Sequence, residues 1–271
     1  MKFLKIWDRV SILLFNILFV LVSISIPALS IASTPAFYKA QFEKTGIYAS
    51  LDEDGNEWRT YIYYIGGKSN QSAQFSNEQI DTIIHHIVDY LFTNQESFAL
   101  TMDGVKLNGS TRDGVAIFGE VAIAHMEEVK VLFQIVLILT VIIAVLLVGL
   151  IVYFVLRWKE ISPLLLDYSL LFYGIIFLLA GGFCLWTWNS MNSTGFDFGT
   201  QLWRNFHYLF FPFQSDKFAG SFFDDTLTQI LTLDFFLSAV MSVLLVVGIT
   251  LSVWFGVAIF GKIYARRKQD K

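Results

Sequence analysis

Apolar and polar positions follow several different patterns along this chain. Four stretches are almost continuously apolar: Val10–Ala32, Val131–Leu156, Leu164–Trp188 and Phe235–Phe260. Spanning hydrocarbon takes about 20 such residues, so each predicts a transmembrane helix. Between the first two, the pattern shortens. Tyr38–Lys44 has mixed polarity and predicts a short amphipathic approach. Ile47–Leu51 and Trp58–Ile65 are rich in β-branched and aromatic residues and bracket Asp52–Asn56, with a turn at Asp54-Gly55. They predict a hairpin. Ser76 followed by Gln79 three residues on is a helix start. Ile80, Ile83, Ile84, Ile87 and Leu91 then recur at helical spacing. Phe98–Met102 and Val105–Leu107 flank Asp103-Gly104 and predict a second hairpin.

The expected fold is therefore membrane α-helical. Four transmembrane helices carry a small extracytoplasmic α+β cap and an aromatic interfacial loop. In segments, 1–34 is the first membrane helix and 35–118 the cap. Residues 119–188 hold helices two and three, 189–234 the aromatic loop, and 235–271 the last helix with a basic tail. The apolar part of the first stretch is longer than a signal peptide's 7–15 residues, so an uncleaved helix is expected.

Composition agrees with a membrane protein. Of 271 residues, 55% are hydrophobic, and the mean hydropathy is +0.58, too apolar for an ordinary soluble domain. A net charge of -4 offers nothing to nucleic acid. The one cysteine, Cys184, rules out an intrachain disulfide framework. Lys2, Lys5 and Arg9 precede the first helix, and Arg157 and Lys159 join the second and third. Lys262, Arg266, Arg267, Lys268 and Lys271 follow the fourth. The positive-inside rule then puts both termini in the cytoplasm and the two long loops outside the cell membrane.

Candidate chemistry collects at two places. His125, Glu127, Glu128 and Lys130 end where the apolar run begins at Val131. Ionisable groups at the edge of hydrocarbon are costly and mark function. His125 and Glu128 are three apart on one helix face, where a carboxylate can orient an imidazole for acid–base work. On spacing alone they read equally well as a charged turn anchoring the helix end. His207 lies among rings in Trp203–Phe211, with Arg204 three residues before it. An in-plane helix at the lipid surface accounts for so many aromatic residues, and His207 is equally an interfacial ring with a wet edge. His85 and His86 are adjacent, point about 100° apart and cannot easily share a ligand. The carboxylates of Asp52–Asn56 lack the late Glu of a calcium loop. No metal and no cofactor are expected.

Three segments in order add a resemblance. They are Phe75-Ser-Asn-Glu-Gln-Ile80 with Asp89-Tyr-Leu91, Ala124-His-Met-Glu-Glu-Val-Lys130, and Phe206-His-Tyr-Leu-Phe-Phe211 followed by Asp225-Thr-Leu227. Set between these membrane helices, they resemble the Lit family of lipoprotein intramolecular transacylases over nearly the whole chain. Glu128 stands where the family pattern usually has Asp, which keeps the charge and changes the reach. The resemblance implies transfer of the sn-2 acyl chain of a diacylglyceryl-cysteine onto that cysteine's own α-amino group, giving a lyso-form lipoprotein. It implies His125 and His207 as the catalytic pair, and a diacylated lipoprotein N-terminus and membrane lipid as partners. From spacing, Glu128 is expected to orient His125, and Arg204 or Lys130 to hold an oxyanion or headgroup. Two other readings stay open: another membrane acyltransferase or lipid hydrolase using the same histidines, and a non-enzymatic sensor or assembly factor.

Overall fold

A computed structural model describes residues 2–48, 58–65, 68–194, 198–210 and 225–269. Four helices are long and apolar enough to cross a membrane. They are α1 (Lys2–Ala32), α4 (Glu120–Leu156), α5 (Trp158–Thr194) and α8 (Leu233–Gln269). Shorter elements lie between them in the chain: α2 (Pro35–Lys44), α3 (Asn77–Phe92), α6 (Phe198–Phe210) and α7 (Thr226–Ile230). The strands are β1 (Trp58–Ile65), β2 (Lys68–Ser76), β3 (Thr101–Met102), β4 (Val105–Leu107), β5 (Ser110–Arg112) and β6 (Val115–Ala116). The chain divides into two compact units, one of residues 1–28, 136–198 and 241–271, the other of 29–135 and 199–240.

The first unit is helical. Ile12, Phe15 and Leu18 of α1 pack with Leu147 and Phe154 of α4 and Ile161 and Leu165 of α5. Tyr173 packs with Val247 and Leu251, and Trp254 lies against the rings of Phe15 and Phe19. Few of the remaining apolar side chains are covered by protein: Leu178 is 77% exposed and Val145 66%. Surface of that kind on a long helix is covered by hydrocarbon, which is as apolar as the side chains themselves. Two polar clusters inside this unit join helices. Ser169 Oγ donates to Asn16 Oδ1 (3.1 Å), and Asn16 Nδ2 donates to Ile12 O (2.9 Å). Arg157 Nη1 and the Tyr153 hydroxyl both donate to Asp8 Oδ1, at 2.6 and 2.7 Å. Asp167 pairs with Lys262.

The second unit is α+β. Its core joins Tyr38 and Phe42 of α2, the apolar face of α3, Phe98, Val105, Val115, Ile117 and Phe118, and Ala122 and Met126 of α4. Leu227 and Ile230 of α7 complete it. The start of α3 forms a reciprocal capping box. Ser76 Oγ accepts from Gln79 N (3.2 Å), while Gln79 Oε1 accepts from Ser76 N (3.0 Å). Ile80, Ile83, Ile84 and Ile87 are then at most 1% exposed. Full burial of each such side chain stabilises by roughly 1.5–3 kcal/mol.

Strand pairing departs from the sequence expectation at Asp103-Gly104. The partner of β1 is β2, antiparallel, with Trp58 opposite Ser76; the expected turn at Asp52–Asn56 lies outside the described residues. The strands on either side of Asp103-Gly104 do not pair with each other. Instead β3 pairs with β6, while β4 joins the larger sheet in the order β1-β2-β4-β5. Two crossed turns explain this. Asp103 Oδ1 accepts from Gly114 N (2.8 Å) and Asp113 Oδ1 from Gly104 N (2.9 Å). Both glycines take positive φ, 68° and 65°, which a side chain would strain. Each Asp-Gly thus anchors the other turn rather than closing a hairpin of its own.

Candidate functional site

The start of α4 carries the first candidate cluster, and helix periodicity sorts its side chains. Ala122 and Met126 are buried, with Val129 and Phe133 half-buried against the same core. These four share one stripe at spacings of three, four and seven. His125 lies about 60° to one side of that stripe and is 6% exposed. Glu128, one turn on, continues the same flank and is half-buried. Both residues have interaction partners. Glu127 is exposed.

Lys130 stands on the opposite flank. Its Nζ donates to Gln95 O (2.6 Å) and lies 4.4 Å from the centre of the Tyr90 ring. Gln95 in turn meets His86. His86 Nε2 faces Phe98 O at 2.9 Å and Nδ1 faces Gln95 Nε2 at 3.3 Å. A carbonyl can only accept, and an amide NH2 can only donate. In this arrangement Nε2 is placed to donate to the Phe98 carbonyl and Nδ1 to accept from the Gln95 amide. The ring is also stacked against Phe118. So His86 holds α3 to the segment before β3, and Lys130 holds that segment to α4. His85 is exposed, and no group of three or more metal-ligating side chains occurs among the described residues.

The second candidate segment folds as α6, a strongly amphipathic helix. By helical spacing Phe206 and Leu209 share one face, while Thr200 and Arg204 fall on the other side. Arg204 is exposed. The side chain of His207 is outside those described, as is the expected convergence of His125 and His207. Phe206 packs its ring on Phe236 of α8, 5.3 Å between centres.

Asp225 belongs to the third segment of the resemblance and stands at the start of a short helix. Asp225 caps α7, with Oδ1 accepting from Leu227 N (2.9 Å). Its other oxygen, Oδ2, accepts from Gly119 N (2.9 Å) at the head of α4, 106 positions away. Beside it the Thr226 hydroxyl donates to Ile117 O (2.8 Å). Asp225 is only 3% exposed. Burial pushes its carboxyl up to about 6, although the two amides pull the other way. The N-cap pattern was visible in the sequence; the second partner was not.

Against known proteins, the family model described as lipoprotein intramolecular transacylase Lit matches residues 11–236. The chain belongs to the Lit family. The matched range runs from within α1 to the first turn of α8, and so takes in His125, His207 and Asp225. No curated protein and no solved structure is matched. Four candidate spans and this membership make the chain a Lit-family membrane protein.

Proposed function

We propose that this Lit-family protein moves the sn-2 acyl chain of a lipoprotein's diacylglyceryl-cysteine onto the α-amino group of the same cysteine. The observation that carries this reading is a family match of residues 11–236, which holds both histidine segments. The burial of His125 on the helix that leads into the apolar run supports it.

The reaction is an ester-to-amide exchange. The amine nitrogen attacks the sn-2 carbonyl carbon, a C–N bond forms, and a tetrahedral oxyanion appears. The C–O bond to glycerol then breaks. The proton lost by nitrogen balances the one gained by the glycerol oxygen, and no electrons are exchanged with a cofactor. A reference pKa near 8 for the α-amino group suits an imidazole base. In this reading His125 and His207 share the acid and base roles, and Glu128 orients His125. Arg204, three residues before His207, holds the oxyanion or a headgroup. Lys130 is a strut of the cap, because its contacts lead to Gln95 and Tyr90. Attack within one molecule carries a large effective-concentration advantage, so no acyl-enzyme is needed.

The topology follows the basic residues. Both termini lie in the cytoplasm, the α+β unit lies outside the cell, and the apolar face of α6 lies at the outer leaflet. The test is expression in cells making diacylglyceryl lipoproteins, with tandem mass spectrometry of one lipopeptide. Wild type yields N-acyl, S-monoacylglyceryl cysteine; His125→Ala and His207→Ala do not. A diacyl form unchanged by membrane-inserted wild type rejects the reading.

A further inference from the structure

We propose that Asp225 is a positioning residue for this transacylation, fixing the start of α4 and with it the placement of His125. The proposal rests on the transacylase reading. A continuous run of contacts links the helix of His207 to that of His125. Phe206 of α6 packs on Phe236. Phe236 N bonds to Thr232 O at 3.1 Å, and Leu231 N to Leu227 O at 2.8 Å. Leu227 N bonds to Asp225, whose second oxygen holds Gly119. His125 follows Gly119 by six residues, about 9 Å along the helix axis. The Thr226 bond to Ile117 gives a second anchor two residues upstream. Two anchors on one short segment restrain both the height and the turn of the helix start.

The carboxylate suits this job better than a neutral cap. It presents an acceptor to each of two amides that approach from separate segments. Asn offers one acceptor oxygen, so its NH2 would face the second N–H. Protonation does the same to Asp225. The groups facing it are the Gly119 and Leu227 amides, with the Thr228 hydroxyl on its backbone carbonyl. No charged side chain contributes to its shift. Its ionisation therefore reports burial and these two amides.

The experiment compares wild type, Asp225→Asn, Thr226→Val and His125→Ala, each purified and reconstituted with a synthetic diacylglyceryl lipopeptide. Misplacing reacting groups by about 1 Å costs on the order of 100-fold. Asp225→Asn is expected to lower kcat about tenfold at pH 7.5, with KM within about twofold, because catalysis is changed and binding is not. With wild-type Asp225 titrating at about 6, the wild-type to Asn ratio falls to about twofold at pH 5. Loss of folded enzyme alone would not make that ratio collapse. Thr226→Val removes an anchor without a titratable group, so its deficit, about threefold or more, stays constant with pH. If Asp225→Asn does not fold, a normal kcat in Thr226→Val overturns the proposal. An active wild type with Asp225→Asn within about twofold at pH 7.5 overturns it alone. An inactive wild type overturns the transacylase reading, and the proposal falls with it.

Discussion

Replacing Lys130 with Met separates its two possible roles. The substitution keeps the aliphatic stem over Tyr90 and deletes the ammonium that donates to Gln95 O at 2.6 Å. A hydrogen bond from a charged donor contributes about 1.5–3 kcal/mol. The stacking on Tyr90 adds roughly 0.5–1 kcal/mol, of which a thioether recovers part. Freeing a long side chain returns up to about 1.5 kcal/mol of rotamer entropy. The net is a local loss of about 1–2 kcal/mol. Opening of the segment between α3 and β3 should then become roughly 5- to 30-fold more frequent. Hydrogen exchange read by mass spectrometry on a peptide covering residues 93–99 measures this directly. A peptide covering residues 117–125, anchored by Asp225 and Thr226, serves as the internal reference. Turnover of a diacylglyceryl lipopeptide should stay within about threefold of wild type, since the strut is not on the His125 flank. Unchanged exchange at 93–99 would refute the strut. A loss of turnover of about 100-fold in folded protein would place Lys130 among the reacting groups instead.

Two further outcomes follow from the α+β unit. Ser76→Ala removes the capping box and should cost about 1 kcal/mol, read as faster exchange in the first turn of α3 with turnover unchanged. Asp225 adds a pH dependence to stability. Its folded value of about 6 lies above its ordinary 3.8, so its contribution is fully present below about pH 4 and is lost as pH rises through about 6. The change is about 3 kcal/mol, and chemical denaturation in detergent between pH 4 and 7 should show a slope that Asp225→Asn removes. An equal slope in both proteins would disprove the assignment.

Much of this protein was readable from local pattern. The four long helices are set by unbroken apolar runs, because nothing else satisfies a backbone in hydrocarbon. The α3 stripe and its capping box were readable for a related reason: every partner lies within four residues. The placement of His125 and Glu128 on one flank is also a matter of helical period. The family resemblance rested on short segments with fixed order, and membership over residues 11–236 agrees with it.

Tertiary structure decided what depends on distant partners. Asp103-Gly104 looked like the turn of a hairpin, but Asp103 and Asp113 serve each other's glycines, and the strands flanking Asp103-Gly104 pair with other strands. Lys130 belonged in sequence to the cluster containing His125. Helix rotation sends it to the other side, onto Gln95 and Tyr90. His86 read as a helix flank facing solvent or a neighbouring loop, and the packing decided for the loop, at Phe98 and Gln95. Asp225 is the clearest case. A local rule identified it as a cap for its own short helix, while its hold on Gly119 joins positions 106 residues apart. Period and capping are properties of neighbours in sequence, but which groups share a buried carboxylate depends on how the segments pack.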